Sequence, residues 1–267
     1  LGDVYKRQIM DYSKVETHIK SWLSNYLESS NLKGFVVGVS GGIDSAVTST
    51  LCAKTKKQTL VINMPILQNT QQFDRSNNHI NWLEKKFENV KGIEIDLTIV
   101  FDAYRTALPI AFQDDLSLAN LRSRIRMATL FQFASNQKLL VAGTGNKVED
   151  FGVGFYTKYG DGGVDISPIA DLMKTEVFGL AKHLGIIESI QNAPPTDGLW
   201  DDARSDEDQL GASYSELEWA MRYLEKEDTK KLTTRQTEVL AIYNTFHSAN
   251  KHKMLPIPVC EIPDNFR

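Results

Sequence analysis

From Val36 to Ala46 the chain reads VVGVSGGIDSA, and this stretch limits the fold more than any other. Phe35, Val36, Val37 and Val39 form an aromatic and β-branched run, and Ala46, Val47, Leu51 and Ala53 follow at helical spacing. Strand, tight loop and helix is the local reading. The first N–H groups of such a helix have no intrahelical partner, and its dipole adds roughly half a positive charge there. The turn therefore suits an anion such as phosphate. Gly41 and Gly42 let the backbone approach a ligand, while Ser40 and Ser45 add hydroxyls. A serine-rich cap in an ordinary α/β turn is the plainer alternative; the buried-looking strand before it favours the phosphate.

The loop lacks the G-x-x-x-x-G-K-[ST] pattern, in which a lysine meets the β and γ phosphates. Asp44 stands where positive charge would be expected. A carboxylate beside phosphates makes sense when a cation bridges them, and Mg²⁺ takes one or two carboxylates plus phosphate oxygens and water. Asp44 is thus the first metal-ligand candidate, with helix capping as its other reading.

Onward, strands and helices alternate. Thr59–Met64 reads as a second strand ended by Pro65, Trp82, Leu83 and Phe87 mark a helix, Ile93–Leu97 a third strand and Leu139–Ala142 a fourth. This βαβ alternation predicts an α/β fold, a parallel sheet flanked by helices, with ligands outside the carboxyl ends of its strands. No repeat or linker divides the chain. Residues 1–9 before Met10 fit no periodic element and read as a non-native leader, leaving 10–267 as one domain with a C-terminal helical extension and tail. The 267 residues carry a formal charge of −4, which argues against a general nucleic-acid surface. No run of 18 or more apolar residues suggests a membrane span. Two distant cysteines, Cys52 and Cys260, match no zinc or disulfide pattern and point to a reducing cytoplasm.

Residues 120–127 read NLRSRIRM within a long helical pattern. Leu121, Ile125 and Ala128 share one face; Asn120 and Arg124 share another, one turn apart. Arg124 is therefore chosen for the ligand, with Arg122 and Arg126 left as solvated charges. The segment 141–177 concentrates glycines, acids and lysines, fitting a loop that approaches a ligand and a helix opened near Pro168 and Asp171. Glu149 can join Asp44 on Mg²⁺ because strand ends converge; Lys158 and Lys174 can neutralise phosphates. Asp161, inside GDGG, reads from the residues alone as a turn former. The acidic stretch 199–221 reads as a solvated loop before a packing helix.

The order SGGIDS, NLRSRIRM, GTGNKVE, TKYGDGGVD, PIADLMKT, PTDGLW and a tail with His252-Lys253 resembles the NAD synthetase family of adenylating ATP pyrophosphatases. The likeness covers nearly the whole chain after Met10. It implies a Rossmann-like, adenine nucleotide α-hydrolase-like three-layer sandwich. It also implies amidation of nicotinic acid adenine dinucleotide (deamido-NAD) with ATP and ammonia, giving NAD, AMP and pyrophosphate. By this resemblance Gly38, Val39, Ser40, Gly41, Gly42, Ile43, Asp44 and Ser45 hold the ATP phosphates. Thr144, Lys174 and Thr196 contact ATP, and Asp44 with Glu149 carries Mg²⁺. Arg124, Lys158, Asp165, His252 and Lys253 match positions that bind the dinucleotide, and members are usually homodimers. One departure stands out: Glu149 precedes Lys158 by nine residues, one more than the family spacing.

In that chemistry no protein nucleophile is required, and no Cys-His or Ser-His constellation is evident. Asp44, Lys174 and Asp161 are the candidate catalytic groups, Asp161 to orient ammonia or accept a proton from ammonium where it is not simply a turn former. A chain of this length has no room for a glutaminase domain beside the pattern, so free ammonia is expected. The rivals are a tRNA-modifying or GMP-synthetase-like pyrophosphatase and a nucleotide-binding module without turnover.

Overall fold

The computed structural model describes residues 10–68, 70–196, 205–226 and 231–267. The leader 1–9 and residues 199–204 of the acidic stretch lie outside them. In chain order the elements are α1 (Tyr12–Ser30), β1 (Gly34–Gly38), α2 (Ile43–Lys54), β2 (Gln58–Asn63), α3 (Thr70–Lys86), β3 (Val90–Glu94), α4 (Thr98–Ala107), α5 (Asp115–Gln137) and β4 (Leu139–Val141). A π-helical turn (Val148–Val153) follows, then α6 (Lys174–Leu184), α7 (Glu188–Gln191), α8 (Asp206–Leu210), α9 (Tyr214–Glu225) and α10 (Thr234–Met254).

The four strands form one parallel sheet in the order β3-β2-β1-β4, with Gly34 opposite both Gln58 and Leu139. Strands buried on both faces read as near-continuous apolar runs, as GFVVG and TLVIN do. The pleat then sorts them. Phe35, Val37, Val61 and Leu140 join the core beneath α1, α2, α3, α6 and α7, whereas Val36, Leu60, Ile62 and Val141 join the core beneath α4 and α5. A third cluster packs Val148 and Val153 of the π turn with Leu217 and Met221 of α9 and Val239 and Tyr243 of α10.

Strand boundaries shift from the sequence reading. The third strand is Val90–Glu94, and the fourth stops at Val141, Ala142 making only a parallel bridge to Ile166. The helix expected near Pro168 and Asp171 begins at Lys174, after turns whose Leu172 carbonyl accepts the Lys147 N–H. Ala128, placed on the apolar face of α5, is exposed, while Ile125 is buried.

The order of the strands fixes where a ligand can sit. β1 leads leftward through α2 to β2, and β4 enters on its other side after α4 and α5 on the opposite face. Between β1 and β4 the winding reverses, and a crevice opens there at the strand carboxyl ends. The SGGIDS loop and the GTGNKVE segment leave the sheet on either side of it.

Candidate active site

At the end of β1 the chain turns into α2 through Gly42, whose side makes no capping hydrogen bond, so the amino terminus of α2 stays open. Ser40 and Ser45 brace the turn: the Ser45 hydroxyl donates to the Gly42 carbonyl at 3.0 Å and accepts the Ser40 N–H at 3.2 Å. Gly41 has φ +80°, and a Cβ there would lie 2.8 Å from the Gln72 carbonyl oxygen. Its role is packing against α3. It is the member of the 38–45 loop that does not line the cavity.

That cavity, of about 250 Å³, is walled by Gly38, Val39, Ser40, Gly42, Ile43, Asp44 and Ser45, by Thr144, Glu149, Asp161 and Lys174, and by Thr196. At its base the Lys174 ammonium donates to Asp44 Oδ2 at 2.7 Å and Glu149 Oε1 at 2.9 Å. Residues far apart in sequence thus meet at one nitrogen. Asn146 Nδ2 donates to the other Asp44 oxygen at 3.1 Å, and Asn146 Oδ1 accepts the Val148 and Glu149 N–H groups. Lys174 is only 3% exposed. Burial pulls its pKa down, but Asp44 and Glu149 outweigh it and hold the lysine protonated. Burial also acts to raise Glu149, and Lys174 with the Tyr214 hydroxyl keeps it below the usual glutamate value. Asp44 is raised, by burial first and also by the Glu149 charge.

Between Glu149 and Lys158 the backbone departs from an α-helical path. Val148–Val153 winds as a π turn, in which the Gly154 N–H reaches back five residues to the Glu149 carbonyl. Such turns recur at functional sites, and here Glu149 meets the same ammonium as Asp44. Gly154 closes the turn at φ +65°, where a Cβ would sit 2.4 Å from Asn250 Cβ of α10.

Residues chosen for the dinucleotide fall elsewhere. Arg124 is exposed, and its Nε donates to the Lys158 carbonyl at 3.3 Å; its face-mate Asn120 accepts from the Thr157 hydroxyl. Lys158 Nζ donates to the His252 carbonyl at 3.0 Å, and Lys253 Nζ donates to the Gly154 and Tyr156 carbonyls at 2.6 and 2.7 Å. These four gather where α5, loop 154–161 and the end of α10 meet, beside the cavity, and none lines it. Asp165 stands apart, accepting the Val141 N–H at 2.8 Å on the edge of β4. Asp161 lines the cavity, but its Oδ1 accepts from the Ser123 hydroxyl at 2.6 Å and the Thr157 N–H at 3.0 Å, so it also staples the loop to α5.

The sequence reading missed three groups. Tyr214 donates its hydroxyl to Glu149 Oε1 at 2.6 Å, with its ring 4.6 Å from the Lys174 nitrogen. Buried Glu218 accepts the Thr175 N–H and hydroxyl, both at 2.8 Å, and so caps the helix that carries Lys174. Arg126, taken for a solvated charge, faces the cavity. Ser213 and Glu216 form the capping box that opens α9, but nothing local in the sequence says which side of α9 faces the site.

The NAD synthase family model matches residues 15–256. An NH3-dependent NAD⁺ synthetase of Methanosarcina acetivorans is 35% identical over 262 residues, covering 95% of this chain and all of that one. This chain belongs to the NAD synthase family. Among solved structures, an NMN synthetase from Francisella tularensis superposes with a TM-score of 0.83 at 28% identity, covering 96% of this chain and 99% of the neighbour. An NH3-dependent NAD synthetase from Campylobacter jejuni gives 0.77 at 26% identity over 94% of this chain and 100% of the neighbour. NAD synthase membership sets aside the tRNA-modifying pyrophosphatase and the module without turnover.

Proposed function

We infer that this chain is an ammonia-dependent NAD synthetase. It activates the nicotinate carboxylate of deamido-NAD with ATP and amidates it. One observation carries the reading: an uncapped helix start, two carboxylates and a lysine from distant parts of the chain converge on a single cavity at the sheet's reversal point.

The nicotinate oxygen attacks the α-phosphorus as the bond to pyrophosphate breaks, and the acyl adenylate forms. Ammonia then adds at the acyl carbon, AMP departs, and the nitrogen loses a proton. The N–H groups at the start of α2, with the Ser40 hydroxyl, hold the phosphates where negative charge accumulates, on a turn that Ser45 braces. One preorganised donor of this kind is worth about 3 to 4 kcal/mol. Thr144 and Thr196 bound the nucleotide on the cavity wall, and Asp161 faces the place where ammonia must approach. Two carboxylates that already share one cation at 2.7 and 2.9 Å suit Mg²⁺, which would complete its shell from phosphate oxygens and water. When bound, Mg²⁺ neutralises charge on the phosphates. Asp44 and Glu149 would hold the ion, and Lys174 beside them would set its ammonium against the triphosphate. Arg124, Lys158, His252 and Lys253 hold the dinucleotide at the rim, and Asp165 braces β4 beneath it.

We assign the protein to the cytoplasm and to a homodimer. Ile99, Tyr104, Ile110, Phe112 and Leu116, an exposed apolar row along α4 and into α5, supply a surface for a second copy.

Incubation with ATP, Mg²⁺, ammonium and deamido-NAD is expected to yield NAD and AMP in equal amounts. Asp44→Asn should lower that yield at least a hundredfold, about the loss of one preorganised electrostatic group. ADP in place of AMP, or AMP release indifferent to the dinucleotide, would refute the assignment. Because the Francisella neighbour is named for a mononucleotide product, nicotinate mononucleotide belongs in the assay as a competing acceptor.

A further inference from the structure

The wall of the cavity contributed by α5 presents Ser123, Arg126, Met127 and Leu130. Arg126 Nε donates to the carbonyl of Met64, the residue just past β2, at 2.9 Å, and this contact anchors the side chain in the cavity wall. It is the only hydrogen bond or ion pair that Arg126 makes among the described residues, so its two Nη groups carry unspent donors. The other cation of the wall, Lys174, is held by two carboxylates. Arg126 is half-buried, and burial, followed by the like charge of Arg122, pulls its pKa down to about 10. A half-buried guanidinium with open donors on a cavity wall can take an anion, and its planar fork matches a pair of oxygens on one carbon or phosphorus.

We propose that Arg126 is a substrate ligand whose guanidinium takes a paired-oxygen anion inside the cavity, either the α-phosphate of the nucleotide or the nicotinate carboxylate. This rests on the NAD synthetase reading, in which both anions meet at the reacting phosphorus. Arg124, two residues earlier, points to the rim loop instead, so one short basic run serves two places. Met64 and Leu130 support the placement: a Cβ on Gly38 would lie 3.3 Å from the Met64 methyl and 3.4 Å from a Leu130 methyl, so an apolar floor adjoins the cation.

The test is calorimetric binding of AMP, deamido-NAD and NAD to wild type, Arg126→Gln and Arg126→Lys, with thermal melts of each. Arg122→Gln is the control, because Arg122 lies over the Phe101 ring, 5.0 Å from its centroid, and does not line the cavity. Loss of a charge-assisted pair should weaken one ligand by about tenfold to a hundredfold in Arg126→Gln. Weaker AMP binding assigns the phosphate; weaker deamido-NAD binding with NAD unchanged assigns the carboxylate. Arg126→Lys, which keeps the charge without the fork, should lie between wild type and Arg126→Gln and serves if the glutamine variant does not fold. If both folded variants bind all three ligands as wild type does, the anion site is refuted, while NAD formation by wild type would leave the reaction standing. A wild type that makes no NAD yet binds AMP through Arg126 would have the opposite meaning.

Discussion

At the scale of single residues, Lys174 carries the first test of the proposed metal pair. Its ammonium lies where a divalent ion would meet Asp44 and Glu149, so ion and lysine compete. Lys174→Met should therefore bind Mn²⁺ more tightly than wild type when no nucleotide is present, read by the electron-spin signal of free Mn²⁺; equal affinities would show that the lysine does not guard the pair. His79 offers a second test, on stability. It is fully buried between α2 and α3, with Nε2 3.0 Å from the Ser49 hydroxyl and its ring stacked on Trp82. Burial lowers its pKa from 6.5 to about 4. The folded protein thus binds fewer protons than the unfolded chain between those values, so stability falls as pH drops from 6.5 toward 4 and levels off below. The full effect is about 3 kcal/mol. His79→Leu should flatten that acid limb in urea melts run across the window. An unchanged limb would place its origin elsewhere.

At the scale of elements, α9 holds the site together from behind. Glu218 caps α6 beside Lys174, and Tyr214 fixes Glu149; the Arg235 fork ties α9 to α10 through Glu216 at 2.7 and 2.9 Å. Glu218→Gln keeps the shape but drops the charge from buried bonds, and should cost about 1 to 3 kcal/mol in unfolding free energy. Arg235→Ala, at an exposed pair, should cost at most about 1 kcal/mol. A reversed order in paired melts would mean that α9 is held mainly by its surface bridge. The strand-loop-helix at residues 35–53 was legible because apolar period, glycine and helix start all agree locally. The same holds for Asp44, Glu149 and Lys174, which sit in motifs at strand ends. Tyr214, Glu218 and Arg126 were not legible. Each looks like an ordinary helical side chain until packing says which way its helix faces. In the acidic stretch the packing helix is there as α9, but Asp206, read as part of a solvated loop, is buried at the start of α8.

At the scale of the whole molecule, the parallel sheet and its two helical layers could be read from alternation alone, since both faces of β1 and β2 demand cover. The third cluster, where α9 and α10 clasp the π turn, could not, because it depends on contacts across the chain. The outer surface carries a prediction of its own. Ile110 is 88% exposed and Phe112 70%, and replacing both with Glu should turn a dimer into a monomer in sedimentation without changing the melt of the isolated subunit. A wild type that sediments as a monomer would refute the dimer assignment. All four strands are complete by Val141, yet the ammonium that sits between Asp44 and Glu149 is supplied only at position 174. The strands of the sheet thus precede in sequence the cation that joins its two carboxylates, so a chain cut short of α6 would carry Asp44 and Glu149 without it.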